Sequence, residues 1–315
     1  LGQTRTGKPY LKCLLADRSA RVPARMWNAS EQLFKQLPTD GFVRIEGHTQ
    51  PYQGQLQIIV EKIEPAEPTD DDLLDLLPST DKDIFELFDH VKARLGEIEH
   101  AGLRALGQAY LDDGELMRRF QRAPAAMTLH HAYLGGLIEH TANLLELAAN
   151  VCPLYPEINR DLVVVGLFLH DLGKCEELHW ERGFGYTEDG LLVGHIARGI
   201  LRLQAKVDAL AAAGTTLPDS LVRVLHHIIL SHHQTPEFGA LKTPSTPEAW
   251  AVSLIDNLDA KLHMAIAATR TDAATAGAVD VGSDFTDRIW ALNNTACTAP
   301  TRPKRNDSAS PRNAE

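Results

Sequence analysis

The run VVVGLFLHDLGK, Val163 to Lys174, decides how this chain is read. An uninterrupted apolar stretch, Leu162 to Leu169, ends in an imidazole (His170), a carboxylate (Asp171) and, three residues on, an ammonium (Lys174). Neighbours on a helix diverge by about 100°, so His170 and Asp171 serve one site only at a cleft or a helix end, and Gly173 supplies such an end. Working outward, polar residues recur where the helical period calls for apolar ones. His140 lies three residues after Leu137 and four before Leu144, on the inward stripe of a helix expected over 134–149. His195 follows Leu192 by three in LLVGHIARGILRL, and His232 continues the stripe of Leu221, Leu225 and Ile228, with His226 and His233 beside it. Thr246-Pro247 supply an N-cap and a first-turn proline for a last helix, on which Asp256 follows Val252 by four. A single histidine on an apolar face is ordinarily a hydrogen-bonded core residue. A set spread over five helices is different, because each unpaired buried polar group costs about 1–3 kcal/mol and a shared divalent ion removes that cost. Histidine and aspartate without cysteine suit Zn, Mn or Fe, whereas a Ca site wants oxygen ligands only.

Composition sets the bounds. The 315 residues, 44% hydrophobic and 23% charged, are those of a globular protein with room for two domains. The longest apolar run falls far short of the roughly 20 residues that span a bilayer. Four scattered cysteines (Cys13, Cys152, Cys175, Cys297) form no CxxC pair, so a reduced, cytoplasmic protein is expected and a cysteine zinc site is not. The chain begins at Leu1 rather than Met and has no signal peptide, which reads as a trimmed start. Net charge is −11, but residues 1–64 carry nine Lys/Arg against six Asp/Glu, leaving the acidity to the remainder. An acidic body with a mildly basic front module is still able to handle a polyanion at that module.

Residues 1–64 read as strands: Tyr10–Leu15, Val22–Trp27, a short strand GFVRIEG between Gly41 and Gly47, and Leu56–Ile63, with a helix from Ser30 to Leu37 capped by Ser30. That pattern suits a small Greek-key barrel. Residues 65–72 (PAEPTDDD, Pro65 to Asp72) read as a linker, 73–296 as helical throughout, and 297–315 as a disordered tail; Phe285 to Leu292 (FTDRIWAL) offers one further turn. The string TRTGKPYLKCLLADRSARVPARMWN resembles the early strands of a nucleic-acid-binding OB-fold, with the first half of strand one missing at Leu1. The resemblance implies phosphate contacts from Arg5 and Lys8 and stacking platforms at Tyr10, Trp27 and Tyr52; the alternative puts Trp27 and one tyrosine in the core.

The order H…HD…D, here His140, His170-Asp171 and Asp256, resembles the HD-domain metal-dependent phosphohydrolases. The added His195 and the His232-His233 pair resemble their two-metal subset. Neighbouring strings, HHAYLGGLIEHT (130–141), FLHDLGK (168–174), GHI (194–196), HIILSHH (227–233) and DNLDAK (256–261), raise the specificity. With an OB-fold ahead and FTDRIWAL behind, the chain is most similar to the YhaM-type 3′–5′ exoribonucleases, over nearly its whole length to about Ala296. The resemblance implies a first metal on His140, His170, Asp171 and Asp256. It implies a second on His195 and His232, bridged by Asp171, with His233 a ligand or a supporting group. Two divalent ions of the Mn, Fe, Co or Zn class, about 3.5–4 Å apart, would activate water for in-line attack on phosphorus. Lys174 would neutralise phosphate charge, and His130 and His131 would contact the scissile phosphate or cap a helix. The chain departs from the family at QTPEFGA after His233, where a glycine is usual.

The expectation is an α+β multidomain protein: a truncated OB-fold barrel that feeds single-stranded RNA, with DNA the alternative strand, into an all-α HD helical bundle. Self-association is left open, and no membrane partner is expected. A nucleotide or cyclic-nucleotide phosphohydrolase and a non-catalytic RNA-binding protein are the competing readings.

Overall fold

The alternation in PYLKCLLA and RVPARMW builds a sheet with one apolar face. In a computed structural model, which describes residues 2–4, 6–18, 21–38, 41–52, 55–128, 130–181, 183–269, 285–286 and 288–297, β1 (Gly2–Gln3), β2 (Pro9–Ala16), β3 (Arg21–Trp27), β4 (Phe42–Tyr52) and β5 (Gln55–Ala66) pair in the order β1-β2-β3-β5-β4. Leu11, Cys13, Leu15, Ala24, Met26, Ile58 and Val60 pack inward as the core of the sheet. Helix α1 (Glu31–Gln36) separates β3 from β4, and the Ser30 side chain accepts from Leu33 N as its cap.

Two expectations for this module change. Among the described residues the sheet is open rather than a closed barrel: β1 has two residues, and they pair with β2 alone. Gly47 does not end a strand either, because β4 runs through it to Tyr52. The register shifts between Glu46 and Gly47, and a Cβ on Gly47 would lie 2.2 Å from the Ile59 carbonyl oxygen. Glycine marks a bulge there, where two backbones approach closely.

The stretch expected as a linker is partly ordered: β5 extends to Ala66, and a capping box between Thr69 and Asp72 opens α2 (Asp70–Leu76). Then follow α3 (Ile84–Gly96), α4 (Ala101–Leu111), α5 (Gly114–Arg122), α6 (Gly136–Val151), α7 (Arg160–Leu169) and α8 (Lys174–Glu177). A two-stranded ribbon of β6 (Leu178–His179) and β7 (Gly185–Tyr186) interrupts the all-α expectation. It leads to α9 (Glu188–Leu192), α10 (Gly194–Ala212), α11 (Asp219–Ser231) and α12 (Pro247–Thr269). Residues to His263 form one compact unit. The unit from Met264 onward contains, in its described part, the end of α12, a Phe285–Cys297 bridge and a 3-10 turn at Trp290–Leu292. The tail expected at 297–315 lies outside the described residues from 298 on, as does Arg5.

Helix α7 is the axis of the helical unit. Asn159 caps it, and Asp161 to Leu169 are all buried. Asp161 accepts from the Glu99 and His100 amides at 3.0 and 2.8 Å, which ties α7 to the start of α4. Phe168 meets Tyr110 and Phe120 edge-on, with ring centroids 6.0 and 5.9 Å apart. Gly166 lets Ile228 of α11 and Val252 of α12 close on the helix, since a Cβ there would meet both within 3.2 Å. From Leu162 to Leu169 the helix is apolar all round and has no solvent face, so its outlet is its end, where His170 stands. Phe168→Ala removes the ring that locks this end and is expected to cost about 3–5 kcal/mol, measurable by urea denaturation of the full chain.

Candidate metal centre and nucleic-acid face

Helix ends carry most of the site. His170 is the C-cap of α7, and His232 is the C-cap of α11. His195 is the second residue of α10, and only His140 on α6 and Asp256 on α12 come from helix interiors. The stripe proposed for Leu192 and His195 is not formed. Gly194, at φ 78°, breaks α9 from α10, and Leu192 is 78% exposed. The first turn of α10, not a shared apolar face, turns His195 inward.

Four histidines share one arrangement. His170 Nδ1 donates to the Leu167 carbonyl at 2.7 Å, and His232 Nδ1 to the Ile229 carbonyl at 2.8 Å. His140 Nδ1 donates to Asp259 Oδ2 at 2.7 Å, and His195 Nδ1 to Glu177 Oε1 at 3.0 Å. In all four the Nε2 atom is buried without a hydrogen-bond partner, and so are Asp171 Oδ1, His130 Nδ1 and His233 Nδ1. Pinning one ring nitrogen fixes the tautomer and leaves a lone pair on the other, the state in which imidazole ligates a metal.

These atoms converge on Asp171. Its Oδ2 is 3.3 Å from His170 Nε2; its Oδ1 is 3.6 Å from His195 Nε2 and 3.5 Å from His232 Nε2. Asp256 Oδ1 is 3.2 Å from His140 Nε2 and 4.0 Å from His170 Nε2. Two clusters able to hold a metal ion result, His140-His170-Asp171 and Asp171-His195-His232-His233, each with its donor atoms within 4.8 Å of one another. Asp171 belongs to both. His130 forms a further group with His140 and Asp256.

The electrostatics call for positive charge. Burial opposes ionisation of Asp171, but the Lys174 ammonium and His170 outweigh it and hold the carboxyl well below its usual range. Burial likewise opposes a proton on His140, yet Asp256 and Asp259 raise it to about 9, so without a cation these carboxylates recruit a proton. Burial pushes His130 down to about 3 and His233 to about 2, which keeps both rings neutral. Lys174 Nζ donates to Asp171 Oδ2 and to the Ala125 carbonyl, both at 2.7 Å, and its side chain is nearly buried.

Other predicted residues take different places. His131 is buried at φ 48°, with Nε2 donating to Asp259 at 2.8 Å and Nδ1 2.6 Å from the Tyr133 hydroxyl. Both nitrogens are engaged, so it braces Asp259 rather than facing a substrate. His263 stacks on it at 4.0 Å, and His227 accepts from the Ser245 amide. Glu177 was missed in the sequence. It is one of two glutamates ending a four-residue helix, with no periodic signal to mark it.

Missing side chains make room for the site. A Cβ on Gly136 would lie 2.0 Å from the His131 carbonyl oxygen, one on Gly173 2.1 Å from that of His195, and one on Gly190 2.2 Å from that of Glu177. Gln234, where the family pattern has glycine, adopts φ 67°, the left-handed conformation that glycine takes without strain. Its amide compensates by donating to the Ser253 carbonyl at 2.9 Å.

On the outer face of the sheet, Tyr10 opposes Trp27 in register, with rings 5.5 Å apart. The Arg25 guanidinium lies 4.9 Å from the Tyr52 ring and 6.0 Å from that of Trp27. Trp27 and Tyr52 are each 45% exposed, so the reading that buries Trp27 in the core is overturned. Lys8 is exposed in the turn between β1 and β2.

Gly173→Ala tests the close approach. It is expected to displace the α10 N-terminus, lower the thermal midpoint and shift the His195 ring resonances while leaving those of His140 in place.

Comparison with known proteins agrees with this architecture. Residues 137–261 match the HD domain family, and residues 2–66 match an OB-fold nucleic acid binding domain family. The chain is 32% identical over 303 residues to the 3′-5′ exoribonuclease YhaM of Bacillus licheniformis, covering 95% of this chain and 91% of the relative. It is 31% identical to that of Bacillus subtilis strain 168 and 32% to that of Listeria innocua, with the same coverage. No solved structure matches it. Among the described residues no helix is long and apolar enough to cross a membrane. With an OB-fold ahead of an HD domain and this identity along nearly its whole length, the chain belongs to the YhaM family of HD-domain exoribonucleases.

Proposed function

We propose that this chain is a 3′–5′ exoribonuclease that hydrolyses phosphodiester bonds of single-stranded RNA at a two-metal centre. One observation carries the proposal: buried imidazole and carboxylate atoms without hydrogen-bond partners converge on Asp171 from several helices. We assign one divalent ion to His140, His170, Asp171 and Asp256, and a second to His195, His232 and His233, with Asp171 shared. The donor set, nitrogen and oxygen without thiolate, suits the Mn, Fe, Co or Zn class. When bound, such a pair supplies Lewis-acid activation of water and neutralises charge at the phosphodiester. The polarity of digestion follows that of the relatives, which are 3′-5′ exoribonucleases.

The chain's own side chains do the rest. Asp171 keeps its charge because Lys174 faces it, and Lys174 adds positive potential beside the reacting phosphate. His130, with a partnerless buried Nδ1, is assigned to the phosphate. The pinned Nδ1 atoms hold the ligand rings in one tautomer, so no reorganisation precedes the reaction. On the sheet, bases stack on Tyr10, Trp27 and Tyr52 while Arg25 and Lys8 meet phosphates. Four unpaired cysteines fit a reducing, cytoplasmic setting.

End-labelled single-stranded RNA with Mn²⁺ tests the activity. Stepwise shortening from the 3′ end is expected, and the same sequence in DNA reports dependence on the 2′-hydroxyl. Turnover of nucleotides without shortening would instead make it a nucleotide phosphohydrolase, and binding without either would make it a binding protein. Asp171→Ala should lower the rate by at least about 100-fold with RNA affinity kept; retained activity would refute the centre. Trp27→Ala should weaken RNA binding by about 1–3 kcal/mol, read by fluorescence anisotropy.

A further inference from the structure

We propose that Glu177 and Asp259 are positioning residues that set the two metal positions independently, Glu177 for the one at His195 and Asp259 for the one at His140. The proposal rests on the two-metal reading above. In each half, one histidine is locked by a main-chain carbonyl three residues back in its own chain segment: His170 by Leu167, His232 by Ile229. A second histidine in each half is locked by a carboxylate from a different element, His140 by Asp259 of α12 and His195 by Glu177 of α8, whereas His233 Nδ1 has no such lock. Carbonyl locks are built into the backbone. Carboxylate locks depend on one side chain each, so each half has one lock that a substitution removes.

The two carboxylates are held differently. Glu177 Oε1 accepts from His195 Nδ1 at 3.0 Å and from the His195 amide at 3.1 Å, so one oxygen fixes both the ring and the first turn of α10. Asp259 sits in a closed ring of side chains. Its Oδ2 accepts from His140 and His131, and its Oδ1 from Asn143 Nδ2 at 3.1 Å. Lys82 Nζ donates to Asn143 Oδ1 at 3.2 Å and pairs with Glu139 Oε1 at 3.1 Å. The Tyr133 hydroxyl donates to Glu139 Oε2 at 3.0 Å and meets His131 Nδ1, which closes the ring. Among the described residues, neither carboxylate has a hydrogen bond or ion pair to a group of the other half. Independent action follows, because each orients a ring whose free nitrogen faces a different cluster.

The test uses the full chain loaded with Mn²⁺, freed of excess metal and read for metal content per chain and by electron paramagnetic resonance. Wild type is expected to hold about two ions with an exchange-coupled signal. Glu177→Ala and Asp259→Ala should each hold about one, with the signal of an isolated ion, and the affected position should weaken by about 10–100-fold. Glu177→Gln keeps an oxygen able to accept from Nδ1 and should retain both ions and the coupled signal. A merely structural role predicts loss of both ions together. That result in the alanine variants, or wild-type affinity for two ions in both, overturns the proposal. Failure of wild type itself to take up metal would refute the two-metal reading and this proposal with it, a result distinct from failure in the variants alone.

Discussion

A carboxylate buried at the end of an all-apolar helix is the constraint on which the rest of the structure depends. Asp171 is 3% exposed, gives one oxygen to Lys174 and turns the other toward the Nε2 atoms of His195 and His232. Desolvating such a pair costs several kcal/mol per ion, and the mutual attraction repays this only when the remaining lone pairs are satisfied. Here they are not: several buried donor atoms around Asp171 lack partners. A fold that optimised its own stability would fill this space with leucine. The cost is tolerable in a site completed by cations.

Packing geometry follows from that demand. Donor atoms on separate elements must come within 4.8 Å of each other at a single point, which pairwise packing of helix interiors does not by itself arrange. The chain meets this in two ways. It draws the candidate donors largely from helix ends, where the backbone leaves the helical path, and it places glycine where two segments touch. Gly173 against His195, Gly136 against His131 and Gly190 against Glu177 are three instances of one solution, each admitting a carbonyl oxygen to within about the length of a missing Cβ contact. Gln234 shows the limit: the turn after the histidine pair needs a left-handed residue, and a side-chain bond to Ser253 offsets the strain.

Much of this was legible in the sequence because the ligands violate the hydrophobic period. His140 and Asp256 sit on stripes that a helical repeat assigns to the core, and HDLG announces a helix end. The sheet was legible from alternation, down to the cap at Ser30. What failed did so where the determinant is nonlocal. The period from Leu192 to His195 looks continuous, yet a glycine in the left-handed region resets it. Gly47 looks like a terminus, yet the approach of a carbonyl from the next strand makes it a bulge. Glu177 is an ordinary acidic residue until α10 folds back and brings the His195 ring to it. Asp259 was visible only as a neighbour of Asp256 on α12, and its partners His131, His140 and Asn143 lie more than a hundred residues away.

Charge divides the labour between the two modules. The segment ahead of residue 65 is net positive and the remainder is strongly acidic, so long-range attraction does not draw a polyanion to the helical body. On the proposed function binding begins on the sheet, where Arg25 lies beside two half-exposed rings, Trp27 and Tyr52. Stacking of this kind has little dependence on base identity, since every base offers a π-face. The proposed centre likewise acts on phosphate and water rather than on bases. On the proposed function a strand is held by its bases and cut at its backbone, which suits degradation nucleotide by nucleotide better than cleavage at a chosen site.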